Sequence, residues 1–167
     1  NYTDTKANNF KTTTGLRAEF FDKTLRAVAD FTYSYRMNNE LKKRTVVPYS
    51  TGPGIYETLG VPGTDDYLQE YFSGTNYLAA NAYLEYENTF AKKHYFKAMA
   101  GYNYEQKHWK GVTSKRYDLM TPDTDAINLA MGESMSITSN ESRWRLAGFM
   151  FRLNYSYDER YLLEING

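Results

Sequence analysis

The chain has 167 residues, with 20 Lys and Arg against 20 Asp and Glu, 17 Tyr, 9 Phe and no cysteine. Zero formal net charge leaves no global field to draw in nucleic acid or an anionic membrane surface, and the lack of cysteine excludes disulfides, zinc-thiolate sites and a cysteine nucleophile. Length alone suits one soluble domain; the patterning along the chain points elsewhere.

In residues 10 to 21 the even positions carry Phe10, Thr12, Thr14, Leu16, Ala18 and Phe20, and the odd ones include Lys11, Thr13, Gly15, Arg17 and Glu19. A period of two is strand. After Asp22-Lys23 the apolar set moves to odd positions over 25 to 37, with Leu25, Ala27, Ala29, Phe31, Tyr33, Tyr35 and Met37 against Arg26, Asp30, Thr32, Ser34 and Arg36. Both sets share a face if paired residues have numbers summing to 45, which a two-residue turn gives; Glu19 then faces Arg26. Residues 39 to 76 form a long connection whose Pro48, Gly52, Pro53, Gly54, Gly60, Pro62 and Gly63 argue against regular structure. Within it, Asp65 to Tyr71 is compatible with a short capped helix.

The third strand is expected over 77 to 90, with Leu78, Ala80, Ala82, Leu84, Tyr86 and Phe90 opposed to Asn81, Glu85 and Glu87. A three-residue turn at 91 to 93 leads to a fourth over 94 to 108, where Phe96, Ala98, Ala100, Tyr102 and Tyr104 oppose Lys97, Asn103, Glu105 and Lys107; the pair sum of 184 puts Glu87 against Lys97. A second long connection, 109 to 142, holds Pro122, Asp123, Asp125 and a helix-compatible run from Ala126 to Met131. The fifth strand, 143 to 157, sets Ala147, Phe149, Phe151, Leu153, Tyr155 and Tyr157 against Arg152, Asn154 and Ser156. After a short turn at 158 to 160, the sixth begins with Tyr161, Leu163 and Ile165 against Glu164 and Asn166, and stops in mid-pattern at Gly167. With no signal peptide at the start, the expectation is an internal piece of a longer protein.

Alternation over a dozen residues exceeds the usual soluble strand and suffices to cross a membrane at a tilt. Short turns at one end and long connections at the other are the asymmetry of outer-membrane barrels, whose polar lumen also removes any long apolar run. The predicted fold is thus all-β, a segment of about six strands of an antiparallel transmembrane β-barrel. The lumen would receive Arg17, Glu19, Arg26, Asp30, Arg36, Glu85, Glu87, Lys97, Glu105, Lys107, Arg152 and Glu164. Loop residues Tyr49, Tyr56, Tyr67, Tyr71, Trp109 and Tyr117 are candidates for contact with substrate or a partner. A passive porin and a soluble carbohydrate-binding β-sandwich remain open alternatives.

Catalytic signals are weak. His94 and His108 stand near opposite ends of one strand, and Gly52-Pro53-Gly54 lacks the residues of a phosphate loop. Glu85 and Glu87 share a face in a way compatible with acid/base work, but lumenal charge explains them as well. The expectation is a non-enzyme without cofactor; Asp118, Asp123 and Asp125 offer at most a weak calcium site.

The run Arg152-Leu153-Asn154-Tyr155-Ser156-Tyr157-Asp158-Glu159-Arg160-Tyr161-Leu162-Leu163 closely resembles a stretch of the barrel in SusC/RagA-like TonB-dependent transporters. The loop Ala126-Ile127-Asn128-Leu129-Ala130-Met131-Gly132 and the hairpin spacing are similar to that family's. The resemblance implies a 22-stranded barrel, an N-terminal plug and TonB-contacting segment outside residues 1 to 167, and a lid-like SusD-type surface lipoprotein capturing glycans or peptides at Bacteroidota outer membranes. It makes active import of an oligosaccharide or peptide the expected task, and outer-membrane lipid and the rest of the barrel the expected neighbours.

Overall fold

The computed structural model describes residues 1–121, 123 and 125–167. Strands β1 (Tyr2–Phe20), β2 (Leu25–Arg44), β5 (Tyr67–Phe90), β6 (His94–Tyr117), β7 (Met135–Tyr157) and β8 (Tyr161–Asn166) form one sheet in the order β1-β2-β5-β6-β7-β8. A separate ladder joins β3 (Val47–Gly52) to β4 (Ile55–Leu59). At each short connection a backbone hydrogen bond closes a tight turn: Thr24 N to Phe21 O at 3.0 Å, Lys93 N to Phe90 O at 3.1 Å, and Arg160 N to Tyr157 O at 3.0 Å. The residues between, Asp22-Lys23, Ala91-Lys92 and Asp158-Glu159, all have positive φ. That is the type I′ geometry; at the last two connections Lys93 and Arg160 follow as a third loop residue, so the next strands begin at His94 and Tyr161.

Register follows the parity of the sequence. Thr13 and Thr32 hydroxyls meet at 3.0 Å and Arg26 Nε approaches Glu19 Oε1 at 3.5 Å, both pairs summing to 45. Between β5 and β6, Lys97 Nζ reaches Glu87 Oε2 at 3.3 Å and Asn103 Nδ2 donates to Asn81 Oδ1 at 2.5 Å, pairs that sum to 184. β7 and β8 pair from Tyr157↔Tyr161 to Arg152↔Asn166 without a shift.

The long strands reach 19 to 24 residues, far past the stretches with visible alternation. The chain divides into two compact units. One contains residues 10–35, 76–108 and 143–167, which hold most of the alternating stretches; the other contains 1–9, 36–75 and 109–142, which hold the strand extensions and long connections. In the first unit the apolar face is bare: Leu16 is 72% exposed, Leu84 55% and Phe149 87%. Buried apolar residues among those described are Leu68 and Ala130, both in the second unit. The alternating sheet therefore has no apolar core of its own, as a surface made to be covered by hydrocarbon would have.

The second unit corrects several expectations. Asp65 to Tyr71 is not helical: β5 begins at Tyr67, and the acids serve the preceding turn, Asp65 Oδ2 accepting from Val61 N at 2.9 Å and Asp66 Oδ1 from Gly63 N at 2.5 Å. Seven residues make a marginal helix, whereas continued strand pairing supplies a ladder partner for each amide. The Pro- and Gly-rich stretch is not irregular either, because Pro53 and Gly54 (φ +76°) form the turn of the β3–β4 hairpin. From Ala126 to Met131 only a single 3₁₀ turn, Ile127–Leu129, is helical, and Ala130 pairs instead with Leu119. Tyr67, Tyr71, Trp109 and Tyr117 lie on strands, not loops. Pro122 falls outside the described residues.

Two acids tie the long connections down. Buried Asp66 accepts from Leu119 N at 3.2 Å. Asp125 accepts from the Tyr2 hydroxyl at 2.5 Å and pairs with the buried Lys43 Nζ at 2.9 Å. The Tyr2 hydrogen bond, and then Lys43, hold the Asp125 carboxyl below its ordinary value.

Two outcomes are expected. In the complete gene product folded into lipid vesicles, Leu84→Arg or Ala100→Arg costs about 2–4 kcal/mol near the bilayer midplane, and Asn103→Arg on the other face much less, as read from urea unfolding; equal costs would mark a soluble sheet. Because the folded Asp125 pKa is depressed, its tie is fully present above the unfolded value of about 3.9 and is lost as pH falls through the folded one. Protease cleavage within 118 to 134 should therefore begin only below about pH 4, and Asp125→Asn should admit it at neutral pH; wild-type cleavage setting in near pH 6 would contradict the tie.

Candidate functional site

Strand parity gathers the charged side chains on the face opposite the apolar belt. Across four strands they form one chain of contacts: Arg17 Nη2 to Glu19 Oε1 at 2.6 Å, Arg26 Nε to Glu19 Oε1 at 3.5 Å, and Arg26 Nη1 to Glu85 Oε1 at 2.5 Å. It continues through Lys97 Nζ, 3.2 Å from Glu85 Oε2 and 3.3 Å from Glu87 Oε2, and ends where the Tyr95 hydroxyl donates to Glu87 Oε1 at 3.0 Å. The three cations and three carboxylates balance. Arg26, Glu85 and Lys97 are partly buried, so their proximity counts for more than a fully exposed surface pair would.

The remaining candidates on this face divide by neighbour. Glu105 accepts from the Tyr77 hydroxyl at 3.2 Å, and Arg152 Nε donates to Asn166 at 2.9 Å with Glu164 3.8 Å away. Asp30 stands opposite Gly15, where an added Cβ would lie 2.8 Å from Asp30 Oδ1 and would have to push that carboxylate aside. Arg36 and Lys107 are exposed. Glu85 and Glu87 are both bound to Lys97, which makes them members of an ion-pair lattice and not a free acid/base pair.

The aromatics of the second unit carry the same parity. Tyr67 and Tyr71 occupy odd positions of β5, and Trp109 and Tyr117 odd positions of β6, the set that bears the charges. Tyr67 and Tyr117 meet edge-on at 5.9 Å and hold Lys115 Nζ 3.8 and 4.5 Å from their ring centres, a cation–π clamp within the wall. Trp109 lies over Gly111, at which a Cβ would come within 2.8 Å of its ring and 3.4 Å of Tyr71. On the β3–β4 hairpin Tyr49 donates to Glu57 at 2.7 Å, which pushes its phenol pKa up, whereas Tyr56 is 75% exposed. Val47, Ile55 and Leu59 are exposed on the same hairpin.

Sequence reasoning missed this hairpin and the Asp66 and Asp125 ties. Pro53-Gly54 between Tyr49-to-Gly52 and Ile55-to-Leu59 is itself a turn signal; nothing in the sequence pairs Asp125 with Lys43. The histidines stay apart as their spacing requires, His94 Nδ1 lying 2.8 Å from the Tyr155 hydroxyl and His108 Nε2 3.4 Å from Arg143 Nη2. Among the described residues no three His, Asp or Glu converge as metal ligands, and Asp125 is already engaged by Lys43 and Tyr2.

No protein-family model matches the chain. Over 86 residues, half of its length, it is 27% identical to the TonB-dependent receptor P26 of Formosa agariphila, 9% of which is matched. Among solved structures, the RagAB peptide importer in its closed-closed state aligns with a TM-score of 0.80 at 13% identity, covering 99% of this chain and 17% of the other. A further structure of the RagAB peptide transporter gives 0.77 and the open-open state of the importer 0.72, each at 14% identity and with the same coverage. The chain thus spans less than a fifth of any of these relatives. It has the fold of an outer-membrane transporter barrel segment, and in fold and sequence it resembles the SusC/RagA-like TonB-dependent transporters.

Proposed function

We propose that the chain forms part of the wall of an outer-membrane active importer for an oligosaccharide or peptide. The observation that carries this reading is the division of one continuous sheet into an uncovered apolar face and an ion-paired polar face. Hydrocarbon takes the first and a water-filled solute path the second. The charge-balanced lattice from Arg17 to Glu87 suits a path that wets polar solutes without trapping either sign. Tyr71 and Trp109, at the parity that bears the charges, add flat aromatic surface, which suits sugar rings and peptide side chains alike. Tyr67 and Tyr117, committed to Lys115, serve as wall. The exposed Val47, Ile55, Tyr56 and Leu59 suit contact with a SusD-like surface lipoprotein, and coupling to TonB would run through parts of the protein beyond residues 1 to 167.

The test is to replace Val47–Leu59 with a tight turn in the full-length transporter. A shorter connection favours strand pairing by about 1 kcal/mol, so outer-membrane level on immunoblot stays normal while growth on the glycan or peptide that depends on the transporter is lost. Normal growth on each such nutrient would show the hairpin to be passive, and uptake that survives collapse of the proton gradient would indicate a passive pore.

A further inference from the structure

The outward face changes character along its length. On β7 its residues run Phe151, Phe149, Ala147, then Arg145 and Arg143; on β6 they run Ala100, Tyr102, Tyr104, then Gln106 and His108. Where these runs end, Arg143, Arg145, Gln106 and His108 line a hollow of about 390 Å³ with Tyr33 and Asn76. The Tyr33 hydroxyl donates to Asn76 at 3.0 Å and sets its floor, while Arg143 and Arg145 are exposed. Within it Arg143 Nη2 lies 3.4 Å from His108 Nε2.

Height along the sheet locates this hollow. The opposite end of the apolar belt is marked by His94 against Tyr155 and Tyr157. From Tyr155 to Arg145 is ten residues. At about 3.3 Å per residue and a tilt near 40°, they span roughly 25 Å across the membrane, the height of the apolar band of such barrels. The arginines therefore stand at the far boundary of the hydrocarbon, on the side of the long connections, and on the face that lipid touches.

Guanidinium groups bind phosphate through paired, charge-assisted hydrogen bonds, and do so better at a partly desolvated boundary than in bulk water. We propose that the hollow lined by Arg143, Arg145 and His108 seats the phosphate of an outer-leaflet glycolipid headgroup. A protein partner is a poorer fit, because the face below this hollow belongs to hydrocarbon and leaves a headgroup as the neighbour at this height. The inference rests on the outer-membrane reading given above.

The test uses the full-length protein in a neutral detergent. Native mass spectrometry would compare binding of monophosphoryl lipid A, the same lipid after dephosphorylation, and inorganic phosphate. The phosphorylated lipid should bind roughly tenfold more tightly than its dephosphorylated form, the size of effect that one charge-assisted contact supplies, and inorganic phosphate should not displace it at equal concentration. Joint Arg143→Gln and Arg145→Gln substitution should erase that preference, joint Arg143→Lys and Arg145→Lys should keep part of it, and Arg152→Gln on the polar face should leave it intact. Folding of each variant would be checked by heat-modifiable migration. Equal binding of the two lipids by the wild type, equal loss with Arg152→Gln, or displacement by inorganic phosphate would overturn the assignment. A wild-type protein that stays in detergent-free buffer and binds neither lipid would instead overturn the outer-membrane reading beneath it.

Discussion

The constraint on which everything else depends is that, among the described residues, the apolar face of the alternating sheet lies exposed. Residues such as Leu16, Leu84 and Phe149 stand largely exposed, and the described buried apolar residues, Leu68 and Ala130, belong to the other unit. A soluble sandwich covers that face with a second sheet packed about 10 Å away. Among the described residues the second sheet is the short β3–β4 hairpin, whose residues lie wholly in the other unit. Transfer of the face from water to hydrocarbon stabilises by roughly 25 cal/mol per Å², and hydrocarbon also requires each backbone amide of the belt to be paired within the sheet.

Once one face belongs to lipid, the parity of a strand hands every other side chain to the opposite face. Charges there sit at a sheet spacing of about 5 Å and meet across strands, so their signs must alternate or repel. Glu19 between Arg17 and Arg26, then Glu85 between Arg26 and Lys97, meet that requirement. Tyr67, Tyr71, Trp109 and Tyr117 fall at odd positions of β5 and β6, the parity that carries the charges elsewhere on those strands.

Alternation made the belt legible from sequence, and its limits mark where legibility ended. Between Leu78 and Phe90, or Ala147 and Tyr157, period two is visible because one parity is apolar. Beyond the belt both faces are polar, so the strand from Lys107 to Tyr117 carries no hydropathy signal although its pairing continues. What remains there is β-type residues such as Val112 and Thr113, a weaker cue than a face. The three tight turns were visible as breaks in the alternation, with the left-handed backbone that Ala91 and Glu159 adopt decided by strand twist. The ties from Asp66 and Asp125 were invisible, because each joins segments more than 50 residues apart.

The claim that one parity meets lipid and the other water is tested most directly by single cysteine substitutions along 96 to 107 of β6, a chain without native cysteine. In the full-length protein within intact outer membranes, a small membrane-impermeant thiol reagent and a lipid-soluble one would be compared position by position. The account predicts a period of two: cysteines at 97, 99, 103, 105 and 107 react from water, and those at 96, 98, 100, 102 and 104 only through the lipid phase. Labelling that ignores parity, or a water-accessible even set, would contradict it.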